Sequence, residues 1–416
     1  GRLMKKLLNL YIFRREDGIC LYHHPFGSIR IDPQLISGFL SAVLTFMDEI
    51  IPTYRKESGT FSREDHVIIV EHGKIVSGAL VATSEDADLR SRLKNCIEMF
   101  EDIYKNKISG TDKYLQEGIF DDFTSLVKRT FAIRIIEPFC TPVILKSPPK
   151  SYLESPATKT VINTLDGVKS VLEISLATKL PIEIVAHEIL ELMDEGFLDI
   201  KCICKSSDVY KLTKRGIRAL NTLSITPPGN LRSNILLKIL SEIDGIRTAG
   251  EIAKELKLPF NKFSEYIQFL HKEGFIEYIT LHHLAILILK DVIDLLLANC
   301  LKYLGKSKTV DIFQLAKEKA KKVYTRIETI ELTNNMRIDF EDLKRHLTTS
   351  IIEDMVLTIK ALTTLILNLR FHIRNLVGDR VDTAINENIN TKISLKYSIK
   401  CMDILSVLGI EVKELD

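Results

Sequence analysis

No tryptophan occurs in the 416 residues, and neither sign of charge prevails: 57 Lys and Arg face 55 Asp and Glu, a formal net charge of +2. A chain so nearly neutral makes no global electrostatic case for nucleic acid or an anionic membrane, so any such case must be local. Long uncharged apolar runs are missing too. The two most apolar stretches, 284–301 and 351–369, are interrupted by Lys290, Asp291 and Asp294 and by Glu353, Asp354 and Lys360, whereas a membrane helix carries few or no charges. Near the start, Lys5 and Lys6 precede an alternating segment, not the continuous apolar core of a signal peptide. These absences predict a soluble, cytoplasmic protein without a transmembrane segment, which would reach membranes only peripherally and through partners. The seven cysteines (20, 96, 140, 202, 204, 300 and 401) are odd in number and scattered. That pattern predicts reduced thiols, not a disulfide framework.

Catalytic patterns are equally scarce. Gly305-Lys306-Ser307 lacks the glycine that a phosphate loop needs five residues earlier, where Cys300 stands. Gly305 reads instead as a helix break, with Ser307 as the next N-cap. His187-Glu188 begins like a zinc-protease motif, but Glu191 occupies the place of the second histidine. Cys202-x-Cys204 puts two thiols on one strand face, yet no second pair completes a tetrahedral zinc site. His23-His24 and His282-His283 lack the spacing that puts two ligands on one helix face. With no nucleophile and base to place together, no enzymatic activity, cofactor or metal is expected.

What the chain does contain is a repeat. Residues 166–200 recur at 244–278 without a gap: Asp166-Gly167 returns as Asp244-Gly245, Glu173-Ile174 as Glu251-Ile252, Leu180-Pro181 as Leu258-Pro259, and Glu195-Gly196-Phe197 as Glu273-Gly274-Phe275. Apolar positions stay apolar throughout, as when one fold is written twice. Each copy reads helix, helix, longer helix, strand. Leu180-Pro181 stops the second helix, because a residue before proline is pushed out of the helical region. Gly196 ends the third with a left-handed cap. In the first copy the strand from Phe197 is read on to Cys204, turning at Ser206-Ser207-Asp208 and returning as Val209–Leu212, with a helix from the N-cap Thr213. Three helices and such a hairpin wing, closed by Tyr210-Lys211-Leu212-Thr213-Lys214-Arg215-Gly216, resemble a winged helix, so the chain resembles a tandem winged-helix protein. The second copy has either lost its wing or reduced it to one strand.

Upstream, 7–14 and 19–24 read as strands around Arg15-Glu16-Asp17-Gly18, whose Asp-Gly is a hairpin signal. Asp32-Pro33 opens a helix that runs to about Ile51. Strands near 58–63, 66–71 and 74–82 follow, then helices at 86–105 and 117–130. This order, with Leu10-Tyr11-Ile12-Phe13, Asp17-Gly18, Leu35-Ile36-Ser37-Gly38-Phe39-Leu40-Ser41-Ala42 and Val67–Glu71, resembles the longin and roadblock superfamily over about 1–130. From Leu281 onward only helical signals appear, near 283–303, 307–328, 339–377 and 392–406, with breaks at Gly305 and Gly378.

The predicted fold class is therefore α+β and multidomain: a five-stranded antiparallel longin-like sandwich (1–145), a linker (146–156), a first winged helix (157–225), a second linker (226–230), a second winged helix (231–281) and an independently folding all-α bundle (282–416). The resemblance implies a non-enzymatic adaptor or regulator that binds protein partners, above all a small Ras-like GTPase or another longin or roadblock domain, or pairs as a homodimer. The layout is similar to regulators in trafficking and nutrient signalling such as the GATOR complexes, and to ESCRT-II subunits. Richness in lysine and isoleucine without tryptophan is a composition often met in archaea. The expected partner surface is helix 33–51, whose small-residue track Gly38, Ser41, Ala42 and Thr45 runs beside Phe39. Lys201, Lys205, Lys211 and Arg215 make the wing basic and are candidate anion contacts. Duplex DNA is disfavoured because the third helix of the first copy carries Glu183, Glu188, Glu191, Asp194 and Glu195 against no lysine or arginine. The competing reading is a transcription regulator with an N-terminal sensor domain and a C-terminal dimerisation bundle.

Overall fold

The hairpin signal at Asp17-Gly18 forms as a turn between β1 (Leu7–Arg14) and β2 (Cys20–Pro25), with Gly18 at φ 71°. The Asp17 carboxylate accepts from the Ile19 amide at 3.2 Å and from the Arg14 guanidinium at 2.6 Å. A computed structural model describes residues 7–26, 38, 42, 58–63, 66–83, 87–108, 119–131, 136–339, 341, 343, 344, 347 and 352–411. They fall into two units, 1–135 and 136–416.

In the first unit β3 (Ser58–Arg63), β4 (His66–His72) and β5 (Val76–Ala82) complete an antiparallel sheet of order β2-β1-β5-β4-β3. Strand alternation sends Leu10, Ile12, Ile69, Leu80 and Ala82 to one face, against Leu93, Ile97 and Phe100 of α1 (Ala87–Ile108) and Val127 of α2 (Thr124–Phe131). Glu101 of α1 accepts from the amides of Ile75 and Val76 at 2.8 and 3.0 Å, fastening the helix to the start of β5. Leu8, Tyr11, Phe13, Val70, Ala79 and Val81 are buried on the opposite face. Of the expected helix 33–51, only Gly38 and Ala42 are described, both helical and exposed.

The second unit opens with β6 (Thr141–Ile144), then α3 (Pro156–Thr164), α4 (Val171–Thr178), α5 (Ile182–Asp194) and β7 (Leu198–Lys201). The second copy runs β8 (Tyr210–Leu212), α6 (Lys214–Thr222), α7 (Ser233–Glu242), α8 (Ala249–Glu255), α9 (Phe260–Lys272) and β9 (Ile276–Tyr278). The duplication extends to atomic detail. The core of the first copy (Val161, Val171, Ile174, Val185, Ile189, Leu192, Phe197 and Leu198) is matched 78 positions later by Ile239, Ala249, Ile252, Phe263, Ile267, Leu270, Phe275 and Ile276. Both third helices end on a left-handed glycine, Gly196 at φ 78° and Gly274 at φ 76°, with paired bonds from Phe197 and Phe275 back to Leu192 and Leu270. Capping boxes open α4 (Ser170 with Glu173) and α8 (Thr248 with Glu251).

The expected wing hairpin is corrected. β7 does not pair with 209–212; it pairs antiparallel with β6, and β8 pairs antiparallel with β9. Each copy therefore begins with its own strand and closes on it with its last. Ile144 lies opposite Leu198 as Leu212 lies opposite Ile276, and an insertion carrying α6 separates β8 from α7. β9 follows α9 as β7 follows α5, so the two copies end alike. Gly216 of α6 lies so close to β9 that a Cβ there would collide with the Phe275 carbonyl oxygen.

Register also overturns the expectation that all thiols are reduced. Thr141 lies opposite Lys201, so Cys140 and Cys202 come face to face one step further along, and they form a disulfide. The pairing was invisible in the sequence because 62 residues separate the two cysteines.

α10 (Leu281–Leu304), α11 (Lys306–Lys321), α12 (Ile352–Val377), α13 (Asp379–Tyr397) and α14 (Cys401–Val407) make the bundle. The breaks at Gly305 and Gly378 are observed, at φ 79° and 83°, but Gly305 itself, not Ser307, is the N-cap of α11. The segment from 379 belongs to one long helix, which ends at Ser398 in the left-handed region at φ 56°. α12 is long and apolar enough to cross a membrane, and about half of its apolar window is buried against the other bundle helices. The bundle core is not self-contained: Leu172 of α4, Val209 before β8 and Ile279 after β9 belong to it. Thr280 caps α10 directly after β9 by accepting from the His283 amide at 3.1 Å.

Candidate functional site

The residues that sequence reading marked as a basic wing are dispersed by the strand pairing. Lys201 is exposed at the end of β7. Lys205 stands 3.7 Å from Glu173, and Lys211 of β8 stands 3.5 Å from Glu277 of β9. Arg215 donates to the Glu273 carbonyl and lies over the Phe275 ring, 4.3 Å from its centroid. Lys201 and Lys211 thus sit in separate sheets, and three of the four cations are held by partners within the fold. Of the expected interface track, Gly38 and Ala42 are exposed on the helix, while Phe39, Ser41 and Thr45 lie outside the described residues.

On α5 the acidic character persists, with Glu183, Asp194 and Glu195 exposed. Glu188 accepts from the Thr158 hydroxyl at 2.7 Å, and Glu191 lies 3.2 Å from His187. The matching helix α9 buries Phe263 and Tyr266, so its aromatics serve the core.

Around β8 and β9 lies a buried polar cluster. Asp208 accepts from the Lys205 amide at 2.7 Å and from the Tyr210 hydroxyl at 3.4 Å, and burial pushes its carboxyl up to about 6. Tyr210 stacks on Tyr278 at 4.8 Å, and His271 meets Tyr278 edge-on at 4.8 Å. The Tyr278 hydroxyl is buried without a hydrogen-bond partner. Burial raises the Cys204 thiol to about 12, which leaves it a weak nucleophile. Cys204, Tyr210 and Tyr278 belong to the second repeat's core.

A cleft of about 390 Å³ opens between α8, α10, α13 and the segment carrying Arg337. Its apolar lining comes from Ile246, Leu287, Leu295, Ala298 and Ile393. Lys396 of α13 lies 3.3 Å from Glu251 of α8 and 2.8 Å from Asp291 of α10. Tyr397 donates its hydroxyl to the same Asp291 oxygen at 2.5 Å, and burial beside that carboxylate holds the phenol far above its ordinary range. Lys290 pairs with Asp294 at 2.7 Å, and Asp294 accepts from the Ile338 amide at 2.8 Å. Arg247 is engaged by Asp244, Glu242 and Glu255. Every carboxylate in the lining thus has a cationic partner, whereas Arg337 and Lys392 are exposed on the wall with no carboxylate partner among the described residues.

This cleft escaped sequence reading because its residues come from four elements spread over Ile246 to Tyr397. No spacing rule connects them. Compared with known proteins, the chain matches no protein-family model and no curated protein.

Proposed function

We propose that the protein is a non-enzymatic adaptor or regulator whose partners are proteins, with a small Ras-like GTPase or a trafficking or signalling assembly as the leading class. In this reading the first unit is a longin or roadblock-type domain, and the two repeats are winged-helix-like modules in the service of assembly. The observation that carries it is the antiparallel order β2-β1-β5-β4-β3 with α1 and α2 on one face, in the stretch whose sequence resembles that superfamily. The exposure of Gly38 and Ala42 supports the helix around them as the docking surface. The exposed acidic face of α5 supports a protein partner over duplex DNA, since phosphate neutralisation requires cations there. The transcription-regulator reading draws less support, because Lys205, Lys211 and Arg215 are engaged internally.

The deciding experiment presents the full chain to purified small Ras-like GTPases, each loaded with GDP or a GTP analogue, and in parallel to random-sequence duplex DNA at ~150 mM salt. Nucleotide-dependent binding to a GTPase, weakened by Ala42→Glu, is the expected result. Submicromolar DNA binding abolished by Lys211→Glu with Arg215→Glu would overturn the adaptor reading.

A further inference from the structure

We propose that the end of the bundle formed by the α10–α11 and α12–α13 turns docks directly on an anionic lipid bilayer surface. Both turns lie at the same end. α10 and α11 are joined by Gly305 alone and pack on each other as an antiparallel pair. Arg326, just past α11, bridges Asp354 in the first turn of α12 at 3.7 Å, which puts the start of α12 at the far end of that pair. α12 packs along both helices, and at 1.5 Å per residue its 26 residues span ~39 Å, enough to return to the Gly305 end. α13 gives the same direction independently. Its last residue, Tyr397, bonds Asp291 in the first half of α10, and Ile393, one turn earlier, lines the cleft with Leu295 and Ala298. α13 therefore runs antiparallel to α10 and begins, at Gly378, toward the Gly305 end.

This end is basic and apolar together. Within 301–310 and 371–380 five cations, Lys302, Lys306, Lys308, Arg374 and Arg380, face one carboxylate, Asp379, a larger surplus than the +2 of the whole chain. Asp379 is held by Arg374 at 2.6 Å. Lys302, Lys306, Lys308 and Arg380 are exposed, with no carboxylate partner among the described residues. Beside them stand Leu301, Tyr303 and Leu376, exposed by 38%, 48% and 48%. Phe371, 60% exposed, lies about 10 Å before Gly378 along α12.

Charge and apolar exposure together select the occupant. Anionic headgroups attract clustered lysines, while leucine and aromatic side chains enter the boundary between headgroups and acyl chains. Duplex nucleic acid would neutralise the lysines but leave the apolar side chains in water. α12 need not cross the bilayer, since about half of its apolar window is buried against the other helices. The bundle would stand end-on, with the residues around Gly305 and Gly378 in the headgroup layer. Such contact is direct and requires no partner protein.

The probe is phosphatidylcholine vesicles with and without ~30% phosphatidylserine, mixed with the full chain at ~150 mM salt. Co-sedimentation should show binding to the anionic vesicles alone, weakening as salt rises. Lys302→Glu, Lys306→Glu and Lys308→Glu together should weaken it at least ~100-fold. The charge-matched control, Lys159→Glu with Lys238→Glu and Lys254→Glu, changes exposed lysines on other helices and should stay within roughly threefold of the parent. Leu301→Ser with Leu376→Ser should weaken binding without altering charge. All these positions are exposed, so circular dichroism should be unchanged. Because the chain has no tryptophan, Tyr303→Trp places a single fluorophore at this end. Its emission should shift to the blue on anionic vesicles and be quenched by brominated acyl chains. The assay contains no other protein, so its outcome is independent of the adaptor reading. Absence of binding at ~1 mM lipid, equal binding to neutral vesicles, or an equal loss in the control overturns the proposal. So does binding with unshifted emission from the Tyr303→Trp variant, which would put another surface on the membrane. Self-association abolished by the triple reversal, without vesicle binding, would assign this end to an acidic protein face and overturn the membrane.

Discussion

Glu173 and Glu251 are the same residue in two copies of one fold, 78 positions apart, and each does two jobs. Each closes the capping box of its helix, and each holds a lysine from another element: Lys205 at 3.7 Å in the first copy and Lys396 at 3.3 Å in the second. In the first copy the lysine comes from the segment that leads into the next repeat. In the second it comes from the helical bundle, so a local helix-start signal has become a tether between modules.

The first prediction follows from that tether. A fragment of 282–416 leaves behind Leu172, Val209, Ile279 and Glu251, which complete its core and its ion pairing. It should therefore melt without cooperativity or aggregate, while 136–416 unfolds in one transition. A sharp, reversible helical melt of 282–416 by circular dichroism would show that the bundle is independent after all.

Gly216 tests the close approach of α6 to β9. Gly216→Ala should destabilise the second unit by ~1–3 kcal/mol, because backbone must move to admit the methyl group. Denaturant titration is the measurement, and an unchanged midpoint would mean that α6 does not sit against Phe275.

Two buried groups set opposing pH dependences. Asp208 is raised by burial from 3.8 to about 6, so the folded state holds its proton longer than the unfolded chain does, and stability from this group falls as pH rises from about 4 to about 6. Burial, with help from Lys211, lowers His283 from 6.5 to about 4, so the unfolded chain binds the extra proton and stability rises with pH from about 4 to about 6.5. The two slopes, up to ~1.4 kcal/mol per pH unit each, largely cancel in the parent. Asp208→Asn should expose a rising stability profile and His283→Gln a falling one. Parallel profiles in both variants would contradict the assignment.

Reducing the Cys140–Cys202 bond should cost ~3–4 kcal/mol, from the entropy regained by a loop of 62 residues in the unfolded chain. Thermal melts with and without a dithiol reductant should show this difference, and the Cys202→Ser variant should lose it. Equal melts in the parent would mean that the bond does not form in solution.

Ala42→Glu probes the helix that contains Gly38 and Ala42. Ala42 is exposed, so the fold should change in stability by less than ~1 kcal/mol. Partner binding or self-association should nonetheless fall sharply. Unfolding of the domain would place Ala42 in a packed interior and remove it from the partner surface.

Signals that arise between chain neighbours were legible in the sequence: the Asp17-Gly18 hairpin, the 78-residue repeat with its helix order, the left-handed caps at Gly196 and Gly274, and the breaks at Gly305 and Gly378. Side-chain periodicity and backbone preference act over a few residues, so these features need no fold to declare themselves. The partners of β7 and β8 were decided only by tertiary structure. Tyr210–Leu212 is compatible with either the strand before it or β9, and it took β9 because packing the second copy's helices brings that strand alongside. That choice dispersed the basic residues of the expected wing. In the first copy, β7 took β6 as its partner, which brought Cys140 to Cys202. The cleft arose in the same way, since Glu251, Asp291, Arg337 and Lys396 share no local pattern and meet only after the helices have packed.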